Sequence, residues 1–275
     1  MTRICKKGFT LIELLVVISI IALLIGLLMP ALGAANTAAS KLENATNQKG
    51  ILTAFFGTAS SKRGWLLGFN GRTYLDGADI SIDGAAQAGS GSATHVRFAA
   101  LLAKGDMVPE SLISPAEKDP AFNPYENGVF AKTNASYALL GIGNETGAKP
   151  ASARSWRSAG SSNTPLISDR NLGKLGDGLS GVAANYHSNY SKDGSKNSWI
   201  GAVGSADGHV ETVSRPVMKR TTYGSWTKVA PDSGKLGYAG KKGRNGGDNL
   251  FTNEDSGKDG SLVGGKKSGG KPPRP

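Results

Sequence analysis

The chain has 275 residues, 32 Lys and Arg against 21 Asp and Glu for a net charge of +11, 39 glycines and 7% aromatic residues. That balance excludes an acidic protein and disfavours a large helical core; it suits short strands joined by many turns. The one cysteine, Cys5, excludes a disulfide framework and a thiolate metal site.

The first element is a basic leader, residues 1–8, with Arg3, Lys6 and Lys7 and a final Gly8. Phe9–Leu32 follows as 24 residues with one charge, Glu13, and Leu14–Met29 is a run of 16 in which Ser19 is the most polar member. At 1.5 Å per residue this segment spans a hydrocarbon core of about 30 Å as a helix. Basic residues flank it only on the N-terminal side, which keeps the leader cytoplasmic and exports the rest. Glu13 does not fit a plain anchor, because an ionised group in hydrocarbon costs roughly 2.5–3.5 kcal/mol even on lenient scales. It needs a partner. A cut after Gly8 would free the α-amine of Phe9 one helical turn away, within reach of Glu13 in the same or a neighbouring copy. An ordinary export signal cut after Gly33-Ala34-Ala35 is the alternative, and it explains neither Glu13 nor Gly8.

The stretch Lys6-Lys7-Gly8-Phe9-Thr10-Leu11-Ile12-Glu13-Leu14 resembles the signal of type IV pilins and type II secretion pseudopilins. The resemblance implies cleavage between Gly8 and Phe9 by a membrane prepilin peptidase, N-methylation of Phe9, and assembly with other pilin-like subunits through the helix. It also implies that Glu13 neutralises the N-terminus of the adjacent subunit, and that Pro30 sits where pilin helices carry a kink. The expected location is the bacterial inner membrane, single-pass, with the head in the periplasm or extracytoplasmic space and a cell-surface filament as a further destination. Loss of the leader lowers the net charge from +11 to +8.

Beyond Pro30, small and apolar residues recur at Leu32, Ala35, Ala38 and Ala39, Leu42, Ala45, Ile51 and Leu52, and Phe55 and Phe56, roughly a 3.5-residue repeat and one apolar stripe on a helix. Pro30 removes a backbone hydrogen bond and predicts a bend. Gly33 and Gly50 weaken the helix, and Lys62-Arg63-Gly64 reads as its stop. Next come short strands at Trp65–Phe69, Asp79–Ile82, Ala135–Leu140, Pro165–Ser168, Ser198–Val203 and His209–Val213, with a helix at Phe98–Lys104. Asp207-Gly208 between the last two strands predicts a two-residue type I′ hairpin turn, and Gly201 with Gly204 predicts a bulge. The expected fold is α+β: a long N-terminal hydrophobic and amphipathic helix packed on an antiparallel β-rich globular head, with a flexible C-terminal tail. The expected boundaries are leader 1–8, helix 9–60, head 61–232 and tail 233–275.

Ser205-Ala206-Asp207-Gly208-His209-Val210 resembles the ending of a prepilin-associated domain of planctomycete-type bacteria, written as a histidine, nine residues, then Asp-Gly. His187 matches the upstream histidine, although 19 residues separate it from Asp207; an inserted loop, Tyr190–Asn197, accounts for the difference. Leu166–Arg170 and Ala135–Leu139 resemble weaker elements of the same proteins.

Candidate chemistry is sparse. A hairpin could bring His209 near His187, with Asp169 or Asp207 completing a metal site, but their spacing fits no ligand motif; half-buried histidines bonded to backbone carbonyls are the plainer expectation. Asp255–Gly260 lacks a calcium ligand at Gly257 and carries Lys266 where the bidentate Glu belongs. Gly260–Lys267 imitates a phosphate loop without the following Ser or Thr. No serine elbow, paired carboxylate or cysteine nucleophile is recognisable, so the expectation is no enzyme, no metal and no cofactor. Lys235–Pro275 holds nine Lys and Arg against four Asp and Glu, a composition for a flexible tail with weak electrostatic attraction to anions and no specific nucleic-acid binding. The sequence thus points to a structural pilin-like subunit of a type IV pilus or type II secretion pseudopilus. The alternatives are a membrane-anchored periplasmic binding module for anionic polymers (DNA or polysaccharide) and an anchored metal enzyme.

Overall fold

The computed structural model describes residues 10–91, 93–140, 142, 156–160, 162, 164–170, 188–191, 199–214 and 261–262. They form an α+β fold, a long N-terminal apolar helix and a head containing antiparallel strands. The chain divides into two compact units, Met1–Ser40 and Lys41–Pro275.

Helix α1, Leu11–Ala59, is one 49-residue helix that continues through Pro30, Gly33 and Gly50. In the first unit every residue from Thr10 to Ala39 is exposed, Leu28 and Met29 by 64% and 67%. An 18-residue window reaches a mean hydropathy of 3.0 with nothing buried, so the helix is long and apolar enough to cross a membrane. Such a segment is helical for a reason beyond propensity: in hydrocarbon each backbone N–H and C=O must bond internally, and a helix does this within one segment.

In the second unit α1 buries one face, made of Asn44, Gln48, Ile51, Leu52, Phe55 and Ala59, at the three- and four-residue steps that share a helix side. It ends through a 3-10 turn, Ser60–Lys62, and Arg63 in the left-handed conformation, φ 54°. The Gly64 N–H then bonds the Ala59 carbonyl at 3.0 Å, closing a Schellman-type cap in which Arg63 occupies the position usually held by glycine.

The main sheet has five strands: β3 (Tyr137–Leu140), β4 (Pro165–Asp169), β5 (Gly201–Ser205), β6 (Val210–Val213) and β7 (Ser261–Leu262), in the order β6-β5-β4-β3-β7. Neighbours from β3 to β6 are antiparallel, with Tyr137 opposite Asp169 and Ser168 opposite Val203, whereas β7 joins β3 in parallel. The described residues also include a small hairpin, β1 (Ser81–Ile82) with β2 (Ala85–Ala86), helix α2 (Thr94–Ala103) and short 3-10 turns. Strands β3, β4 and β5 are buried at every residue. Phe55 of α1 meets Trp156 edge-on at 5.1 Å and Phe98 of α2 at 6.4 Å. The Trp156 indole donates to the Leu67 carbonyl at 2.9 Å, and Arg97, fully buried, lies 4.5 Å above its ring while donating to the Leu140 carbonyl. These aromatic and cationic groups join α1, α2 and the end of β3 in one core.

Several expectations need correction. Trp65–Phe69 is not a strand: Trp65 and Phe69 make isolated bridges to Arg157 and Tyr74, and Gly64, Gly68 and Gly71 turn the chain at positive φ. Helix α2 starts at Thr94, four residues before the predicted Phe98. The turn at Asp207-Gly208 is not type I′, because only Gly208 has positive φ. Gly208 N–H bonds the Ser205 carbonyl and Ser205 N–H bonds the His209 carbonyl, the pattern of a type I turn closed by a glycine bulge. Asp207 supports it by accepting from the His209 N–H at 2.9 Å. The strand bulge lies on β4, between Pro165 and Ile167, rather than on β5. Gly201 and Gly204 instead permit close approach: a Cβ at Gly204 would lie 2.5 Å from Leu52 Cδ1, and one at Gly201 would lie 2.7 Å from Asp169 Oδ2. Strand β7 falls in the segment expected to be a tail; two residues between glycine-rich flanks are too few to show a period. The rest of 233–275 lies outside the described residues.

Candidate functional site

Gly8 and Phe9 lie outside the described residues, which begin at Thr10. Glu13 is in the first turn of α1. Its Oε2 accepts from both the Thr10 N–H and the Thr10 hydroxyl at 2.8 Å, and the Glu13 N–H donates back to Thr10 Oγ1 at 3.2 Å. This is a reciprocal capping box, which satisfies N-terminal donors that a helix otherwise leaves open. Within one chain Glu13 therefore has a partner other than the α-amine expected from the sequence. The signal, Thr followed three residues later by Glu, was present and overlooked.

A second polar constellation sits inside the head. Asp169, at the end of β4, is 4% exposed. Asn44 Nδ2 donates to both of its oxygens at 2.9 Å, Gln48 Nε2 to Oδ1 at 3.2 Å, and the Ala202 N–H of β5 to Oδ2 at 2.7 Å. Gln48 also donates to the Ala202 carbonyl, and Ser114 donates to Asn44 Oδ1 at 3.2 Å. Burial pushes the Asp169 carboxyl up to about 6; the Ala202, Asn44 and Gln48 donors work against that rise, and the charge of Glu117 adds to it. The buried Tyr137 phenol, on the strand position opposite, is raised well above its ordinary value by burial and then by Asp169. Two polar side chains one helical turn apart on α1 thus fasten it to the edges of β4 and β5. The clasp holds structure; it presents no aligned nucleophile.

Next to it, Arg170 donates to Glu117 through Nε at 3.0 Å and Nη2 at 2.7 Å, with its guanidinium 3.6 Å from the centre of the Phe122 ring. Both side chains are 5% exposed or less. Burial raises the Glu117 carboxyl, but the Arg170 hydrogen bonds and charge outweigh it and hold the group below its ordinary value. The pair joins the Ser114–Asp119 loop to the end of β4.

His209 and Asp207 are exposed on the β5–β6 turn, so His209 is not the half-buried residue expected. His187 lies outside the described residues. Among the described residues no three His, Cys, Asp or Glu side chains gather where they could hold a metal ion. The segments Ala135–Leu139 and Leu166–Arg170, singled out from sequence, are adjacent strands joined in register, Ala138 opposite Ser168. Asn44, Gln48 and Glu117 were missed; for the first two, a polar pair interrupting an apolar helix face was the only signal.

Residues 3–29 match the family described as the prokaryotic N-terminal methylation motif. The match spans about a tenth of the chain and supports a type IV pilin-like protein, a substrate of prepilin peptidase that assembles with other pilin subunits. The motif indicates a structural subunit, and with the apolar helix it fits a single-pass, membrane-anchored chain. No curated protein and no solved structure matches the chain.

Proposed function

We propose that the chain is a structural subunit of a pilin-like filament, a type IV pilus or a type II secretion pseudopilus. Prepilin peptidase cuts between Gly8 and Phe9, Phe9 is N-methylated, and Phe9–Met29 remains in the inner membrane until assembly. The helix 9–60 forms the filament core and bends at Pro30. The head, 61–232, lies on the extracytoplasmic side with the tail, 233–275, and its Asp207-Gly208 hairpin is the end of a planctomycete-type prepilin-associated domain.

The match of residues 3–29 to the methylation motif carries this reading, and the helix that bears it supports it. From Thr10 to Ala39 that helix exposes every side chain and contains one carboxylate. Before assembly Thr10 holds Glu13; after assembly the neighbouring α-amine replaces a neutral donor with a cation, a stronger charge-assisted bond in a low-dielectric core. Glu13→Val tests the exchange. Processing at Gly8 continues in the variant, while recovery in sheared filaments falls at least tenfold; wild-type recovery would refute the role of Glu13.

A further inference from the structure

A cleft of about 680 Å³ opens between the end of α1 and the turn that follows, lined by Ser61, Lys62, Arg63, Trp65, Gly71 and Arg72 among others. Its volume lies within the roughly 300–1,000 Å³ of ligand sites. Arg63 and Arg72 are exposed and Lys62 is half-buried. Among the described residues no carboxylate lies within ion-pair distance of these three, or of the nearby Lys104 and Arg157. Burial, and then the charge of Lys104, hold the Lys62 ammonium below the ordinary lysine value. Like charges gathered without a counter-charge repel one another, and an anion in the cleft relieves that repulsion.

The backbone is arranged around these cations. Arg63 stands in the left-handed region, where a non-glycine residue costs roughly 1–2 kcal/mol. Asn70 Oδ1 accepts from the Arg72 and Thr73 N–H groups at 2.9 and 2.7 Å and fixes the turn that presents Arg72. Three neighbours crowd the Trp65 indole: Arg157 at 4.8 Å from its ring, Phe69 edge-on at 5.2 Å, and Gly71, where a Cβ would lie 2.7 Å away. An indole so enclosed walls a cleft and is poorly placed to stack a base, the interaction on which single-stranded nucleic acid recognition depends. Its Nε1–H bonds no described residue and is a donor for a hydroxyl.

We infer that this cleft binds an acidic polysaccharide, with Lys62, Arg63 and Arg72 holding successive uronate carboxylates and Trp65 forming the wall. The inference is independent of the filament reading, since an anchored head would present the same cleft. The test uses the full-length chain in nonionic detergent and fluorescent tetragalacturonate as probe, with an oligonucleotide of equal charge as the comparison. The triple variant K62Q/R63Q/R72Q is expected to weaken tetragalacturonate binding at least tenfold with an unchanged thermal midpoint, and K235Q/K241Q/K242Q in the tail to leave it unchanged. Should the triple variant unfold more easily, R72Q alone, at an exposed turn, is expected to lose about threefold. Undiminished binding in the cleft variants, loss confined to the tail variant, or tighter binding of the oligonucleotide at the same residues would each overturn the proposal.

Discussion

The two parts of helix α1 treat their side chains differently: the first buries none, and the second buries a mixed polar and apolar face. From Leu11 to Leu32 it turns leucine, isoleucine and valine outward, most of them more than half exposed; from Asn44 to Ala59 it buries Asn44 and Gln48 along with Ile51, Leu52 and Phe55. The same backbone geometry serves two surroundings. Where the surroundings are lipid-like, apolar side chains face out and the carboxylate of Glu13 is held by its own helix cap. Where they are protein, the polar side chains go inside, because a buried carboxylate on β4 supplies their acceptors. The first part is specified by composition and the second by one partner residue far away in sequence.

Large-to-small substitutions should separate the two parts most strongly. Phe55→Ala removes a ring packed on Trp156 and Phe98 and should destabilise the head by about 3–5 kcal/mol, read from the thermal midpoint by near-ultraviolet circular dichroism in detergent. Leu24→Ala, on the exposed part, should leave that midpoint unchanged. Equal losses would mean that the two parts fold as one unit.

Asp169→Ala should come next, at about 3 kcal/mol, since it leaves the Asn44 and Ala202 donors without an acceptor inside the head and takes one of the two acceptors of Gln48. A cost near zero would show that the clasp adds nothing to packing. The pH dependence has a definite sign. With its carboxyl raised from 3.8 to about 6, the folded state binds this proton more tightly than the unfolded chain. The contribution of Asp169 to stability is therefore full below about pH 4 and declines as pH rises through about 6. Glu117 acts oppositely and in a lower window: its contribution is present above the ordinary carboxylate value and is lost as pH falls through its depressed folded value. Asp169→Asn should flatten the profile between pH 4 and 6, and an unchanged slope there would assign it to another group.

Thr10→Ala should have the smallest effect, about 1 kcal/mol of helix stability at the N-terminus, seen as faster amide exchange over the first turn with the head unaffected. Exchange unchanged in that turn would show that the capping box does not hold it.

The apolar helix and four of the strands were legible in the sequence because each rests on local signals: an uninterrupted apolar run, and short β-favouring segments between turns. Lys62-Arg63-Gly64 marked the helix end correctly, yet gave no sign that Arg63 itself would take the left-handed position. What stayed hidden depends on pairing across long separations. Asn44 and Gln48 look like interruptions of a stripe until Asp169, over 120 residues later, is placed beside them. Gly201 and Gly204 looked like a weak strand until Asp169 and Leu52 were seen to need their space. His209 is the reverse case: its motif made it conspicuous in the sequence, and the fold leaves it exposed on a turn.

The most direct test is the N-terminal sequence and intact mass of the protein recovered from its own cells. The account predicts a chain that begins at N-methylated Phe9, lacking residues 1–8. A start at Met1, which leaves Glu13 without the α-amine it is proposed to meet, or at Asn36, which removes Glu13 altogether, would contradict it.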